Sequence, residues 1–356
     1  MAKNSFNTIV IKIGSSTLTN PNGKLDLNNL KRLAAETSEL VSQKKKIIIV
    51  TSGSIVCGAE RLGIGKPRTI PEKQAAAAVG QSRLMRQYEK AFEEYGITVA
   101  QVLLTRDAIA DRERYLNARN TFNTLLEESV VPVVNENDTV AIDEIKIGDN
   151  DNLAALTASL IGADLLILLT DVDAFYMKNE EGLSFPVPEI KEISREVEDA
   201  AGHPSTQLGT GGMITKIQAA RICSDAGIYM AILHGKTKGL IKELIDGKSV
   251  GTIFIPKASK LESRKRWLAH GLKKEGTLVV DSGAESALLK NGKSLLPVGI
   301  ISVKGKFQAG AMVSIADENE QEFARGLVNL SSKEIEEALG KKGIGEVVHR
   351  DNLVIL

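Results

Sequence analysis

Two polar segments stand directly before predicted helices and carry side chains suited to charge chemistry. Residues 147–152 read Ile-Gly-Asp-Asn-Asp-Asn ahead of an apolar stretch, and residues 209–216 read Gly-Thr-Gly-Gly-Met-Ile-Thr-Lys. One short polar side chain satisfies the free backbone donors of a helix start, and four in succession exceed that need. An acidic, amide-rich segment together with a glycine-rich cationic loop predicts an enzyme that handles phosphate charge.

Further candidate groups follow predicted strands. Lys12 precedes Gly14 and two hydroxyls, which fits a phosphate site, although a lysine at a strand end more commonly reaches solvent. Residues 51–54 fit either an ordinary helix start or an anion site at a helix amino terminus. Residues 134–138 fit either a solvated turn or a site for an ammonium group, with the final aspartate as its counter-ion. Asp171 follows another predicted strand and is a further candidate, although an aspartate there also fits a cap of the element that comes next.

Seven short apolar runs, rich in β-branched residues, predict the strands that position these groups. They are Thr8–Ile13, Ile47–Thr51, Ile97–Leu103, Val130–Val134, Leu165–Thr170, Tyr229–Leu233 and Thr252–Ile255. Continuous apolar runs are typical of strands buried on both faces of a parallel sheet. Helical patterns lie between them, for example at 26–41 with Asp26 as the predicted cap. The alternation predicts a three-layer α/β/α fold with an open, mostly parallel sheet and functional loops at the carboxyl ends of the strands.

The pattern changes after residue 257. A basic segment, 258–275, contains Arg-Lys-Arg-Trp at 264–267 and is predicted to be a linker. Short strand-like runs separated by glycine turns follow at Thr277–Asp281, Gly299–Val303, Met312–Ala316 and His349–Leu356. The sequence therefore predicts a first domain over 1–257 and a small, barrel-like β-rich domain over 276–356.

Composition and missing motifs exclude several classes of protein. The 356 residues suffice for two domains, and 45 basic residues balance 45 acidic ones, which gives no overall attraction to nucleic acid or to a membrane. The two cysteines have no CxxC spacing, and we find neither a secretory signal nor a bilayer-spanning run, so a reducing cytoplasm is expected. Without GxxxxGK[ST], GxGxxG or GxSxG motifs, a P-loop ATPase, a Rossmann dehydrogenase and a serine hydrolase are disfavoured.

Taken in order, these loops resemble the amino acid kinase superfamily and, within it, the glutamate 5-kinase family. The matching segments span 6–256 and are 12–16, 50–54, 78–83, 104–106, 112–119, 134–138, 145–152, 169–171 and 209–216. The segments 281–284, 294–300 and 303–307 resemble a PUA domain, which bacterial members of that family commonly carry.

The resemblance implies transfer of a phosphoryl group from ATP, with Mg²⁺, to the γ-carboxylate of L-glutamate, the first step of proline biosynthesis. That carboxylate is ionised at neutral pH and requires no general base, so we expect catalysis by positioning and electrostatic stabilisation. The resemblance also implies feedback inhibition by proline and a homo-oligomer, either a tetramer or a dimer. It leaves open whether the labile acyl phosphate passes directly to the glutamyl phosphate reductase that follows.

By the same resemblance, Lys12 and Lys216 clamp the transferring phosphoryl group while Asp151 orients both lysines. Glutamate is expected to bind at Ser52, Asp138, Asp149 and Asn150. The nucleotide is expected to bind three loops through Lys12, Gly14, Ser15, Thr170, Asp171, Thr210, Gly211, Gly212, Met213, Ile214, Thr215 and Lys216. The sequence does not identify the magnesium ligands.

Two alternatives remain open from the sequence. A sibling kinase for acetylglutamate, aspartate, carbamate or a nucleoside monophosphate would share the lysine pair. The loops 135–138 and 148–152 and the PUA tail favour glutamate, and Asp138 would find no cation on acetylglutamate. RNA binding by the tail is disfavoured because residues 277–356 hold nine basic against eleven acidic residues and only two aromatic ones, Phe307 and Phe323. A structural or regulatory role of the tail is predicted instead.

Overall fold

The computed structural model describes residues 6–105, 112–140, 150–179, 181–202, 212–257, 274–341 and 345–356. Three predicted site residues, Asp149, Thr210 and Gly211, lie outside the described residues, as do residues 258–273 of the predicted linker 258–275. The chain divides into two compact units, residues 1–257 and residues 258–356.

An eight-stranded sheet forms the centre of the first unit. Its strands are β1 (Thr8–Ile13), β2 (Lys46–Val50), β3 (Val99–Leu104), β4 (Val131–Glu136), β5 (Leu165–Thr170), β8 (Glu189–Ile190), β9 (Tyr229–His234) and β10 (Thr252–Phe254). Strands β6 (Phe175–Lys178) and β7 (Ser184–Val187) form a separate antiparallel hairpin. The order in the large sheet is β3-β4-β2-β1-β5-β9-β10-β8.

In that order, all neighbouring strands from β3 through β9 are parallel. Strand β10 is antiparallel to β9, and β8 is parallel to β10, so these two strands run opposite to the others. Strand β1 is the point where the order reverses, because β2 lies on one side of it and β5 on the other. The carboxyl ends of parallel strands meet at one edge, and the crevice at such a reversal is where open α/β sheets bind ligands. The loops after β1, β2, β4 and β5 therefore converge there.

Helices connect these strands and cover both faces of the sheet. They are α1 (Ser15–Leu18), α2 (Leu27–Ser42), α3 (Ser54–Leu62), α4 (Ile70–Glu93), α5 (Arg112–Glu127), α6 (Asn150–Ile161), α7 (Arg195–Ala200), α8 (Met213–Asp225) and α9 (Leu240–Ile245). Alternate residues of β1 pack into different apolar cores, because Ile9 and Ile11 belong to one apolar cluster and Val10 belongs to the other. Every residue of β5 is buried, as its unbroken apolar sequence predicts.

The observed sheet confirms the predicted three-layer, mostly parallel class. The predicted strands appear with ends shifted by at most a few residues, and α2 starts as expected, with the Asp26 side chain accepting a hydrogen bond from Asn29 N. The β6–β7 hairpin was not predicted, because its strands are only four residues long and most of their residues are solvent-exposed. Among the described helices, none has both the length and the apolar character needed to cross a membrane.

A separate five-stranded sheet forms the second unit. Its strands, β11 (Gly276–Val280), β12 (Ile300–Lys304), β13 (Met312–Ala316), β14 (Glu322–Leu327) and β15 (Leu353–Ile355), lie in the order β12-β11-β13-β14-β15. Helices α10 (Ser282–Asn291) and α11 (Ser332–Ala338) accompany them. Residues such as Leu278, Ile315 and Ile335 form an apolar core of this unit. Strand β14, in which charged residues interrupt the apolar ones, was not predicted. The unit confirms the predicted β-rich class of the tail.

Candidate active site

Two lysines and one aspartate form a buried ionic cluster at the carboxyl edge of the large sheet. Lys12 Nζ lies 2.6 Å from Asp151 Oδ1, and Lys216 Nζ lies 3.1 Å from Asp151 Oδ2. The side chains of the two lysines are 10% and 5% exposed, and that of the aspartate is 1% exposed. Thr215 Oγ1 also donates to Asp151 Oδ2, over 2.9 Å. One carboxylate therefore fixes the positions of two ammonium groups.

The cluster keeps Asp151 ionised. Burial by itself would raise the pKa of this carboxyl, but the charges of Lys12 and Lys216, with hydrogen bonds from Lys12 and Thr215, lower that pKa to about 2. The net charge of the three side chains is then positive by one unit. Such a cluster is suited to attract the oxygens of a phosphoryl group, which carry negative charge throughout its transfer.

Three separate elements bring these residues together. Lys12 is the penultimate residue of β1, Asp151 lies in the first turn of α6, and Lys216 lies in the first turn of α8. The helices α6 and α8 are joined near this point by a hydrogen bond from Asn152 Nδ2 to Gln218 Oε1, 3.0 Å long. The ends of a strand and of two helices thus converge on one carboxylate.

Gly14 allows the chain to turn closely over the sheet next to Lys12. Its amide donates to Leu169 O over 3.0 Å, and a Cβ atom at this position would lie 3.1 Å from that oxygen. A side chain would also lie 3.7 Å from Lys12 Nζ. A glycine here keeps the space beside the lysine ammonium open for a ligand.

A cavity of about 700 Å³ adjoins the ionic cluster. Its wall includes Ser15, Ser52, Asn135, Asp138 and Asn150. Asn150 directly precedes Asp151 in the first turn of α6, so a residue of the cavity wall stands next to the carboxylate that binds both lysines. The structure thus brings the predicted substrate residues that it describes into one wall. Ser15, predicted to bind nucleotide, also lies in this wall.

Asn150 is held by three acceptors. Its Nδ2 lies within hydrogen-bond distance of Thr51 O (2.6 Å), Ser52 Oγ (3.0 Å) and Asn135 Oδ1 (3.1 Å), and because it carries two hydrogens, one N–H is shared between two of these acceptors. These contacts link the loop that follows β2 and the carboxyl end of β4 to the start of α6. Asn135 lies in the predicted loop 134–138, but the sequence did not single it out.

Asp138 is the acidic group of the cavity wall. Ser54 Oγ donates to its Oδ2 over 2.9 Å. Burial raises the pKa of Asp138, and the hydrogen bond from Ser54 partly opposes that rise. A bound ammonium group would lower the pKa again, because an opposite charge favours the ionised carboxylate. Ser54 lies in the candidate segment 51–54, but the sequence did not single it out, since nothing in it indicates which hydroxyl binds Asp138.

A second, open hollow of about 790 Å³ lies beyond the end of β5. Asp171, Tyr176, His234 and Thr237 are among its lining residues. The buried Thr170 donates its hydroxyl to Asp171 Oδ1 over 2.9 Å. This hollow also has room for a large ligand.

The predicted nucleotide residues are therefore distributed over neighbouring surfaces. Gly212 is exposed, and Met213, Ile214 and Thr215 are half-buried in the first turn of α8. Thr215 was predicted to bind nucleotide, and its hydroxyl binds Asp151 and Gly212 O. Among the described residues, no group of three or more His, Cys, Asp or Glu side chains forms a metal cage.

Comparisons with known proteins identify the family of this chain. Residues 7–234 match the model of the amino acid kinase family, and residues 276–349 match that of the PUA domain. The chain is 48% identical to the glutamate 5-kinase of Moorella thermoacetica, over 100% of this chain and 98% of that protein. It is also 48% identical to the glutamate 5-kinase of Geobacter sulfurreducens, over 98% and 97%.

A solved structure shares the fold. The carbamate kinase from Giardia lamblia, bound to AMP-PNP, has a TM-score of 0.52 at 16% identity and matches over 71% of this chain and 99% of that one. The family match over the first unit and the identity to curated relatives over nearly the full length lead to the same assignment. The chain belongs to the glutamate 5-kinases of the amino acid kinase family and carries a PUA domain after its kinase domain.

Proposed function

We propose that this chain transfers the γ-phosphoryl group of MgATP to the γ-carboxylate of L-glutamate. The products are ADP and L-glutamyl 5-phosphate, and the reaction is the first step of proline biosynthesis. One observation carries the proposal: Asn150 lines the cavity, and the next residue, Asp151, holds Lys12 and Lys216. A small acid in the cavity would thus lie beside two fixed cations.

The residues of the ionic cluster suit phosphoryl transfer to a carboxylate. A γ-carboxylate is a competent nucleophile at neutral pH, so the main obstacle is repulsion between two anions. Lys12 and Lys216 would neutralise that repulsion and bind the charge spread over the transferring group. Asp151 would act through them, because its carboxylate fixes both ammonium nitrogens before the substrates arrive.

The cavity wall suits the amino-acid part of glutamate. The carboxylate of Asp138 would bind the α-ammonium group, and Ser52 and Asn150 would contribute polar contacts. Asp149 is proposed for the same pocket on the strength of the resemblance. A substrate with a blocked amine would leave Asp138 buried without a cation, which is unfavourable.

The nucleotide is proposed to lie between the ionic cluster and the hollow beside Asp171. Gly14 and Ser15 would contribute to its phosphate site, and Thr170, Asp171 and the loop 210–216 would hold the nucleotide. In the first turn of α8 the backbone amides of Gly212 to Lys216 point towards the helix amino terminus, an arrangement that favours anions.

Regulation and assembly are proposed on the family resemblance. They include feedback inhibition by proline, a dimer or tetramer, a cytoplasmic location and possible transfer of the acyl phosphate to a reductase. We also propose a kinase domain over 1–257, a linker over 258–275 and a PUA domain over 276–356 with a structural or regulatory role.

The test is formation of an acyl hydroxamate from hydroxylamine, ATP and magnesium with L-glutamate, N-acetylglutamate or L-aspartate as the acceptor. We expect product with L-glutamate and its suppression by L-proline. Lys216→Met serves as the inactive control because it removes one of the two cations. Product with another acid alone would assign the chain a different substrate, and a proline-insensitive reaction would remove only the regulatory part of the proposal.

A further inference from the structure

Gln81 stands behind the cavity and is connected to it by side-chain amides. Asn135 Nδ2 donates to Gln81 Oε1 over 2.9 Å, and Asn135 Oδ1 accepts from Asn150 Nδ2 over 3.1 Å. Asn135 is 1% exposed. Gln81 does not belong to the described lining of the cavity. It therefore touches the substrate site only through other residues.

The donor and acceptor roles in this chain of side-chain amides follow from the contact between Asn150 and Thr51. Thr51 O is a backbone carbonyl that can only accept, so Asn150 must present its NH₂ group to it. The same NH₂ group meets the Oδ1 of Asn135, which leaves the NH₂ of Asn135 to bind Gln81 Oε1. With its nitrogen turned inward, Asn150 has its carboxamide oxygen left for the cavity.

We propose that Gln81 is a positioning residue that makes the cavity selective for a free α-ammonium group. Its oxygen supplies the acceptor that holds Asn135 in one orientation, and Asn135 then holds Asn150. The cavity consequently presents two acceptors, the Asn150 oxygen and the Asp138 carboxylate. A loosened or reversed Asn150 amide would direct N–H donors at the ammonium group instead. This inference deepens the proposed function and depends on it.

Close packing of two helices places Gln81 at this point. A Cβ atom on the preceding residue, Gly80, would lie 1.8 Å from Ser54 O, so α4 approaches the start of α3 at backbone distance. Only a glycine permits that approach. It brings Gln81 within hydrogen-bond distance of Asn135 at the carboxyl end of β4.

The test compares Gln81→Met with Gln81→Glu. Methionine has a similar length but no strong acceptor, whereas glutamate keeps an accepting oxygen. The nitrogen that glutamate replaces, Gln81 Nε2, is buried and has no hydrogen-bond partner among the described residues. Gln87→Met is the matched control, because Gln87 is also a half-buried glutamine of α4.

The readouts are KM for L-glutamate, KM for ATP, kcat and the inhibition constant of glutarate, which is the same dicarboxylate without the ammonium group. For Gln81→Met we expect KM for glutamate to rise on the order of tenfold, the effect of leaving a buried amide without its acceptor. KM for ATP and the glutarate constant should stay within about twofold. Gln81→Glu should restore KM for glutamate to within about threefold of the wild type.

Three results would overturn the inference while leaving the proposed function intact. They are an unchanged KM for glutamate in Gln81→Met, a parallel rise of KM for ATP, and a glutarate constant that weakens by the same factor as glutamate. The last two would mean general damage to the site. If the wild type itself fails to phosphorylate glutamate, the proposed function falls and this inference falls with it.

Discussion

Replacing Asp151 with asparagine removes the negative charge between two lysines while preserving the shape of the side chain. The carboxylate oxygens lie 2.6 Å and 3.1 Å from the ammonium nitrogens of Lys12 and Lys216. With an effective dielectric constant of about 20, each contact corresponds to about 5–6 kcal/mol of Coulomb attraction. The cost of burying the charges offsets most of that attraction, so the pKa of Asp151 is the better guide to the net contribution.

That pKa is about 2, whereas the ordinary value is 3.8. The difference corresponds to about 2.5 kcal/mol of folding free energy at neutral pH. Because the folded pKa lies below the unfolded one, this stabilisation is present above the unfolded pKa and is lost as the pH falls through the folded pKa. We expect Asp151→Asn to lose about 2–3 kcal/mol at pH 7, and the deficit to shrink to roughly half near pH 3.

The measurements are urea unfolding at several pH values and hydroxamate formation from L-glutamate. We expect the rate to fall by about 100- to 1,000-fold, because both lysines lose the group that orients them. Asp225→Asn, at an exposed carboxylate of α8, should change stability by no more than about 0.5 kcal/mol. Near-normal activity of Asp151→Asn, or a stability deficit that does not depend on pH, would refute the role of Asp151 in orienting the two lysines.

Three further changes test other parts of the site. Gly80→Ala would bring a methyl group to 1.8 Å from Ser54 O and should cost about 1–3 kcal/mol of unfolding free energy. Urea unfolding measures this cost, and Gly65→Ala is the control because its Cβ would meet open space. Arg32 Nη2 donates to Gly235 O over 2.5 Å, and Gly235 lies in the loop beside the hollow proposed for the nucleotide. Arg32→Met removes this donor, so KM for ATP should rise about tenfold while KM for glutamate stays constant. Ser54→Ala removes the hydrogen bond that lowers the pKa of Asp138, so the acid limb of kcat/KM for glutamate should move to higher pH; an unmoved limb would exclude Asp138 as its source.

Much of the first unit could be predicted because its strands contain short apolar runs. The burial of β5 on both faces leaves little choice of residue type, and such runs are recognisable without a structure, whereas β4 also buries the polar Asn135 and Glu136 at its end. The β6–β7 hairpin and strand β14 escaped prediction because exposed or charged residues interrupt the pattern. The cap at Asp26 was predictable because capping is a local interaction between neighbouring residues.

The network behind the cavity shows the limit of sequence reasoning. Gln81 lies in the middle of α4, where a glutamine is an ordinary helix residue, and only the approach of α4 to α3 gives it a partner in Asn135. The role of Ser54 likewise depends on its hydrogen bond to Asp138, which lies in a distant segment of the chain. Hydrogen bonds between distant segments depend on distances and directions that residue order does not contain.

The sequence by itself determined the fold class, the order of the functional loops and the residue types available for phosphate chemistry, because strand burial and helix starts are local patterns. The tertiary structure alone decided that Lys12 and Lys216 share the two oxygens of Asp151, that Asn150 faces the cavity, and that Thr215 binds a carboxylate. The physical reason is that charge interactions and hydrogen bonds act over a few ångströms. Only the meeting of β1, α6 and α8 at one edge of the sheet brings these groups within that range.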